Sequence, residues 1–263
     1  MSWQPLNGGR PDWRWITADS CTMKKEHKMR NLKKECIYWH QLELHRRWLD
    51  TEGEQGELLD WRGQCFEDMD FSAYTEAAGG RLRLNKALLS GADFSRARFA
   101  GIEAEGALLY GTNFTDASFD TRFGCQVNFR GATLAYAAFK NVSLLGADFE
   151  GAVLHDACFE NAILSFANLA NTNLVWANMR NATLYKADLY GTDLRCACLT
   201  GASLELAKSY AGFENMGSGG RTLHCTLHDD GWHFFTGCFG SEGSTLEAFV
   251  AAVRRKHAAS ARA

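Results

Sequence analysis

The sequence predicts a solenoid with an all-β core, and three observations carry that prediction. From Leu84 to Leu204 every fifth residue is large and apolar, with only Ala104 and Gly124 breaking the series. Two residues before each of these lies a small one, mostly alanine, as at Ala87, Ala92, Ala132 and Ala187. Two residues after it, glycine or asparagine recurs at every tenth position from Gly91 to Gly201, with Thr121 the one departure. A period of five is neither the 3.6 of a helix nor the 2 of a simple strand. A segment that sends one large and one small side chain inward cannot bury them alone, so it stacks on copies of itself. Each buried Leu or Phe contributes about 1.5–3 kcal/mol, enough in register to hold a shaft together.

The composition narrows the function classes. A chain of 263 residues makes one or two domains. With 28 Lys+Arg against 31 Asp+Glu the net charge is -3, which excludes a generally basic nucleic-acid coat and a highly acidic tail. Twenty-five glycines stand beside only 2 prolines, and the repeat absorbs much of that excess. Nine cysteines without close pairing, and a start MSWQPLNGGRPDWRW with no apolar leader, predict a reducing, cytoplasmic setting. No run approaches the roughly 18 apolar residues of a spanning helix, so no membrane contact is expected.

Residues 1–81 form an N-terminal flank. Residues 19–49 have helical composition, with Met29, Leu32, Cys36 and Trp39 three and four apart and Asp19 or Ser20 as cap. Such a helix would lid the open end of the shaft. Phe66 and Phe71 are an out-of-phase pair that reads as a lead-in coil. Charge is partitioned here: KKEHKMRNLKK (24–34) is basic, whereas residues 50–76 carry nine acids against Arg62 alone.

Residues 82–210 are the repeat itself. Gly and Asn tolerate a left-handed backbone, while the alternate corners carry Lys86, Arg96, Asp116, Tyr136, Asp156, Phe166, Trp176 and Lys186. This predicts two kinds of corner, only one with positive φ. At GIEAEG (101–106) and TRFGCQ (121–126), Ile102 and Arg122 replace the small residue, and a bulge or kink one coil apart on the same side is expected.

Residues 211–220 read as a linker and 221–263 as a small ββα module. Thr222–His228 and Trp232–Cys238 flank Asp229-Asp230-Gly231, a hairpin signal. Ser244 with Glu247 makes a capping box, ahead of an apolar face of Leu246, Phe249, Val250 and Val253.

The units GADFS, GADFE, FANLA, WANMR, KADLY and GTDLR resemble the A(D/N)LXX units of the pentapeptide-repeat family, and the resemblance covers nearly half of the chain. It implies a right-handed quadrilateral β-helix with four pentapeptides per coil, about six coils over 82–206, roughly 30 Å tall at ~4.8 Å per rung. The tail resembles, at TGCF and TLEAF, a module found behind pentapeptide repeats in phage and prophage proteins, which implies a mobile-element origin.

Chemistry is sparse. His224, Cys225, His228, His233 and Cys238 crowd together but match no zinc-ligand spacing. There is no phosphate-cradling loop, nucleophile elbow or HExxH. No enzyme, cofactor or metal is expected. What remains is a rod presenting outward aromatics: Tyr110, Tyr136, Phe166, Trp176, Tyr185 and Tyr190.

The resemblance also implies one mechanism, since some members resemble duplex DNA in width and charge and occupy the DNA groove of type II topoisomerases. Mimicry needs a column of negative charge, yet residues 82–206 hold 12 acids against 10 bases. Asp116, Asp148, Glu150 and Asp156 are the candidates to line one side. The sequence therefore predicts a non-enzymatic scaffold that binds and inhibits or modulates a host protein, a DNA-handling or defence enzyme among the candidates. The alternatives are a DNA-mimic inhibitor and a structural or oligomerisation rod. No direct nucleic-acid contact is expected, and homodimerisation is left open.

Overall fold

The computed structural model describes residues 23–72, 81–119, 127–216, 221–229 and 231–235. Four columns of parallel bridges organise it. Wall 1 runs Asp60, Leu88, Leu108, Thr133, Val153, Asn173, Asp193, and wall 2 runs Cys65, Asp93, Asn113, Ala138, Cys158, Asn178, Cys198. Wall 3 contains Asp70, Arg98 and Ser118, then Ser143, Ile163, Thr183 and Ser203. Wall 4 runs Arg83, Glu103, Asn128, Asp148, Asn168, Asp188, Lys208. Partners stand twenty residues apart through most of each column, so four pentapeptides make one circuit. The two-residue strands β1 (Leu82–Arg83), β2 (Arg98–Phe99), β3 (Ile102–Glu103), β4 (Ser118–Phe119) and β5 (Val127–Asn128) are the regular stretches of walls 3 and 4.

Both inward slots are filled as the periodicity demands. Ala87, Leu89, Phe94, Leu109, Phe129 and Leu154 are all completely buried. Phenylalanines stack face to face up wall 2, Phe66–Phe94–Phe114–Phe139–Phe159, at centroid separations of 4.9, 5.3, 5.1 and 5.2 Å. A rung spacing near 4.8 Å sets that distance. Each unit also closes a local turn, as in Ala92 N–H to Leu89 C=O (2.9 Å), and bonds the next coil, as in Phe94 N–H to Asn113 C=O (2.7 Å).

Two insertions interrupt the count. Asp60 pairs with Leu88 and Cys65 with Asp93, twenty-eight residues on, so the lead-in coil carries eight extra residues. That is why Trp61, Phe66 and Phe71 are core residues although they lie out of phase with Leu84. Leu108 pairs with Thr133 and Ile102 with Val127, twenty-five residues on, so five extra residues lie between Phe119 and Val127. The expected bulge at 101–106 is corrected: Ile102 and Ala104 are fully buried and β3 is an ordinary rung. TRFGCQ (121–126) lies outside the described residues.

The two kinds of corner are also corrected. Lys86, Arg96, Asp116, Tyr136, Asp156, Phe166, Trp176 and Lys186 have φ between 55° and 63°, like Gly111 (61°), Gly131 (60°) and Asn141 (61°). Every such corner is left-handed, whatever residue occupies it. The local cost is offset because each corner N–H donates to the coil above, as Tyr136 does to His155 C=O (3.0 Å) and Asp156 to Val175 C=O (2.9 Å).

Helix α1 (Met23–Asp50) lids the first coil. Leu42 is buried in the core, Tyr38 packs edge-on to Phe66 (4.8 Å) and Trp39 to Phe71 (6.3 Å), and Trp61 Nε1–H donates to Gln41 Oε1 (2.7 Å). Arg83 ties the end of α1 to the first coil through Asp50 (2.6 Å), and the acidic lead-in coil faces arginines of the next one in the ion pairs Arg96–Glu67, Arg96–Asp68 and Arg98–Asp70 of 2.5–2.7 Å.

At the far end, β6 (Tyr210–Met216), β7 (Arg221–His228) and β8 (Gly231–Phe235) form an antiparallel sheet in that order. The hairpin signal is found as β7–β8, but Tyr210–Met216 is a strand where a linker was expected. Nor is the sheet detached: Gly191 N–H donates to Leu227 C=O (2.7 Å), Leu227 N–H to Ser209 C=O (3.0 Å) and Thr226 Oγ1–H to Thr192 C=O (2.8 Å). β7 thus takes up backbone groups that the last coil leaves open. The helix expected over 244–256 lies outside the described residues.

Candidate protein-binding surface

Each unit exposes the residues on either side of its inward large slot and the corner that follows. Two exposed faces carry the outward aromatics. On wall 3 and its following corner, Leu145 (46% exposed), Ile163 (44%) and Phe166 (54%) are joined by Tyr185. Phe166 and Tyr185 meet edge to face at 5.6 Å, and Lys186 Nζ lies 5.7 Å from one ring centroid and 5.1 Å from the other. Such a cation over two rings is attracted by their negative faces. On wall 1 and its corner, Tyr110 lies 5.2 Å from Tyr136, which stands 5.3 Å from His155, with Trp176 exposed two rungs beyond Tyr136 on the same corner. The two aromatic edges lie on opposite walls.

The acidic candidates do not line one side. The five-residue insertion moves Asp116 onto the corner of Asn141, Asn161 and Asn181, whereas Asp156 shares a corner with Tyr136 and Trp176. Asp148 and Glu150 are on wall 4, where both accept from Arg130 Nη1 (3.3 and 2.5 Å) and from Asn168 Nδ2 (3.1 and 3.2 Å). Asn141 Nδ2–H donates to Asp116 Oδ1 (2.8 Å), and Asp156 Oδ2 lies 3.0 Å from His155 Nδ1. The Asp156 charge in turn holds the Tyr136 hydroxyl above its usual range. Tyr190 does not stand free: its hydroxyl donates to Asp229 of the β7–β8 turn, and that bond raises its pKa.

The polar groups of the terminal sheet are spent on one another. Tyr210 Oη bonds His224 Nδ1 (2.6 Å), His228 stacks on His233 at 4.0 Å, and burial pushes the Cys225 thiol up to about 11. Among the described residues, no group of three or more His, Cys, Asp or Glu is placed to hold a metal ion. Cys198 is set apart, because although burial opposes it, Thr200 and Arg180 (Nε 3.3 Å from Sγ) bring its thiol below the ordinary value. Along the corner between walls 4 and 1, Gly106, Gly131 and Gly151 leave a shallow open groove of about 380 Å³. No helix among the described residues is long and apolar enough to cross a membrane.

The outward apolar residues Leu88, Leu108, Leu145 and Ile163 were missed by reading aromatics alone. Their signal was in the sequence, one residue before or after each large slot, where a solvated wall calls for polar side chains.

The family model for pentapeptide repeats matches residues 83–121, 128–165 and 167–205, with 8 copies. Its gap at 122–127 falls at the five-residue insertion. Residues 83–205 are thus a domain of pentapeptide repeats. Solved structures with similarity include a pentapeptide repeat protein of the Arabidopsis thaliana thylakoid lumen, at 22% identity and TM-score 0.20, covering 52% of this chain and 66% of that one. QnrB1, a plasmid-mediated fluoroquinolone resistance protein, has 24% identity and TM-score 0.35, covering 57% and 83%. HetL of the cyanobacterium Nostoc, involved in heterocyst differentiation regulation, has 18% identity and TM-score 0.19, covering 56% and 87%. No curated protein matches the chain.

Proposed function

We propose that this chain is a non-enzymatic scaffold whose right-handed quadrilateral rod docks a host protein along the Phe166–Tyr185 edge, and so inhibits or modulates it. One observation carries the reading: the exposed ring of Phe166 and the half-buried ring of Tyr185 are held in fixed geometry under Lys186, beside exposed Leu145 and Ile163. Aromatic anchors on a rigid element lose little entropy when they are buried, and they concentrate binding energy at interface centres. A host DNA-handling or defence enzyme in the cytoplasm is the partner class proposed, with the phage-like tail motifs TGCF and TLEAF as support for a mobile-element origin.

DNA mimicry draws no support from the acids. Asp148, Glu150, Glu160 and Asp193 each pair with an arginine or lysine of this same chain. A polycationic groove would meet a neutralised surface.

The test is capture of partners from bacterial lysate by the tagged full chain and by Phe166→Asn and Tyr185→Ser, asparagine being chosen because corner 166 is left-handed. The expected result is a partner retained in about 1 M salt, where the Debye length is only about 3 Å, and lost with either variant. A partner stripped by salt and indifferent to both variants would favour mimicry instead, and recovery of this chain alone would favour a structural rod.

A further inference from the structure

Wall 1 is built unlike a solvated β-face. Across the second to the sixth coil it turns Leu88, Leu108, Tyr110, Thr133, Val153 and His155 outward, with corners Gly91, Gly111, Tyr136, Asp156 and Trp176. Asp156 is the one acid in the face and it has His155 at 3.0 Å. The charges that frame it are satisfied inside the chain: Arg62–Asp60 (2.5 Å) below and Arg195–Asp193 (2.6 Å) above. An uncharged centre between charged rims is the layout of an interface rather than of a wetted wall.

We infer that wall 1 is the contact face of an antiparallel homodimer, with its twofold axis crossing the Thr133 rung. An isologous contact sets a surface against itself, so like charges in the patch would oppose each other, and this patch has almost none. The rung order is also self-complementary in size. A twofold axis lying in the plane of contact at Thr133 reverses the order of rungs and keeps the position along each rung. Leu108 then meets Val153, and Tyr110 meets His155. At the corner, Gly111 meets Asp156 and Gly91 meets Trp176. Asp156 and Trp176 thus fall on bare corners, a Cβ added at Gly111 having nothing within 4 Å in its own chain, while Tyr136, on the axis, meets Tyr136 of the second copy. A parallel arrangement loses that match.

Five rungs about 24 Å tall offer roughly 500 Å² per copy, about 1,000 Å² in all, at the lower end for a specific dimer. An area of that size is that of a weak, concentration-dependent association. The face is opposite the Phe166 edge, so the dimer stands or falls independently of the proposed partner.

Sedimentation of the full chain over a concentration series is expected to show monomer passing to dimer. Leu108→Lys places two new charges in the contact and shifts dissociation to at least tenfold higher concentration; Trp176→Asn, which keeps the left-handed corner, is the second variant should the first lose its melting transition. Phe166→Asn leaves association unchanged. Because Thr133 sits on the axis, Thr133→Cys alone yields a covalent dimer on mild oxidation beyond that of the parent chain, while Thr183→Cys on wall 3 does not. A chain that stays monomeric at the highest attainable concentration overturns the proposal. So does a dimer that tolerates both wall 1 variants, fails to cross-link through Thr133→Cys, or disappears on removal of residues 236–263.

Discussion

At Tyr136, Phe166 and Trp176 a bulky residue holds φ near 61–63°, a conformation that costs an L-residue about 1–2 kcal/mol. The stack supports it: in that geometry the backbone N–H of each donates to a carbonyl in the neighbouring coil. Glycine at a corner therefore relieves strain that other residues bear. Gly151→Ala is expected to cost about 1 kcal/mol, lowering Tm by about 2–4 °C, because φ is 69° and the space around it is empty. Asp156→Gly leaves Tm unchanged or slightly raised, the relief of strain roughly cancelling the added freedom of the unfolded chain. Thermal melts of the two variants check the pair.

His45 is the other telling residue. It is fully buried, its Nδ1 accepts from Leu59 N–H (3.2 Å), and Nε2 has no hydrogen-bond partner. Burial lowers its pKa from 6.5 to about 4, with the Asn85 backbone opposing and the Arg83 charge assisting. The unfolded chain thus binds a proton between pH 6.5 and 4 that the folded chain refuses. Stability from this group is complete above about pH 6.5 and is lost as pH falls toward 4, a change of about 3 kcal/mol. Denaturant titrations at pH 7 and pH 4.5 should show that slope, and His45→Leu should flatten it.

Among the elements, α1 bears on the first coil as a lid. Its Leu42 fills the open end over Trp61, Phe66 and Phe71. Leu42→Ala is expected to cost about 2–5 kcal/mol and to raise amide exchange first in residues 57–72, read by hydrogen–deuterium exchange. The five-residue insertion behaves differently from a repeat unit. Removing 121–125 restores the twenty-residue circuit and should leave the melting temperature close to that of the parent. Removing 151–155 turns every later unit by a quarter circuit, carries Gly191 and Thr192 away from β7, and should lower it clearly. Of these elements, the helix, the lead-in coil and the β7–β8 hairpin were legible from spacing and turn residues. β6 was not, because Tyr210–Met216 has the glycine and asparagine content of a loop and becomes a strand only by pairing with β7.

For the whole molecule, the net charge of -3 hides an ordered arrangement. Of the nine acids of residues 50–76, Asp50 holds Arg83 of the first coil, and Glu67, Asp68 and Asp70 hold Arg96 and Arg98 of the second. These exposed pairs are each worth no more than about 1 kcal/mol; their larger effect is to remove free charge from the surface. Raising salt should therefore change the melting temperature little, a comparison that thermal melts in low and high salt will make.

The sequence by itself determined the solenoid, its two inward slots and the residues that fill them, because burial imposes a period that survives in the composition of every unit. It did not determine which units stand above one another. An insertion of five keeps the period and shifts the wall, so Asp116 and Asp156 share a column by counting in twenties and lie on different corners in the fold. It did not determine the backbone at the corners either, since hydrogen bonds between coils hold lysine, tyrosine and tryptophan where local preference would place glycine. Those two decisions belong to contacts between residues twenty or more apart, and they set which side chains share the surface that a partner meets.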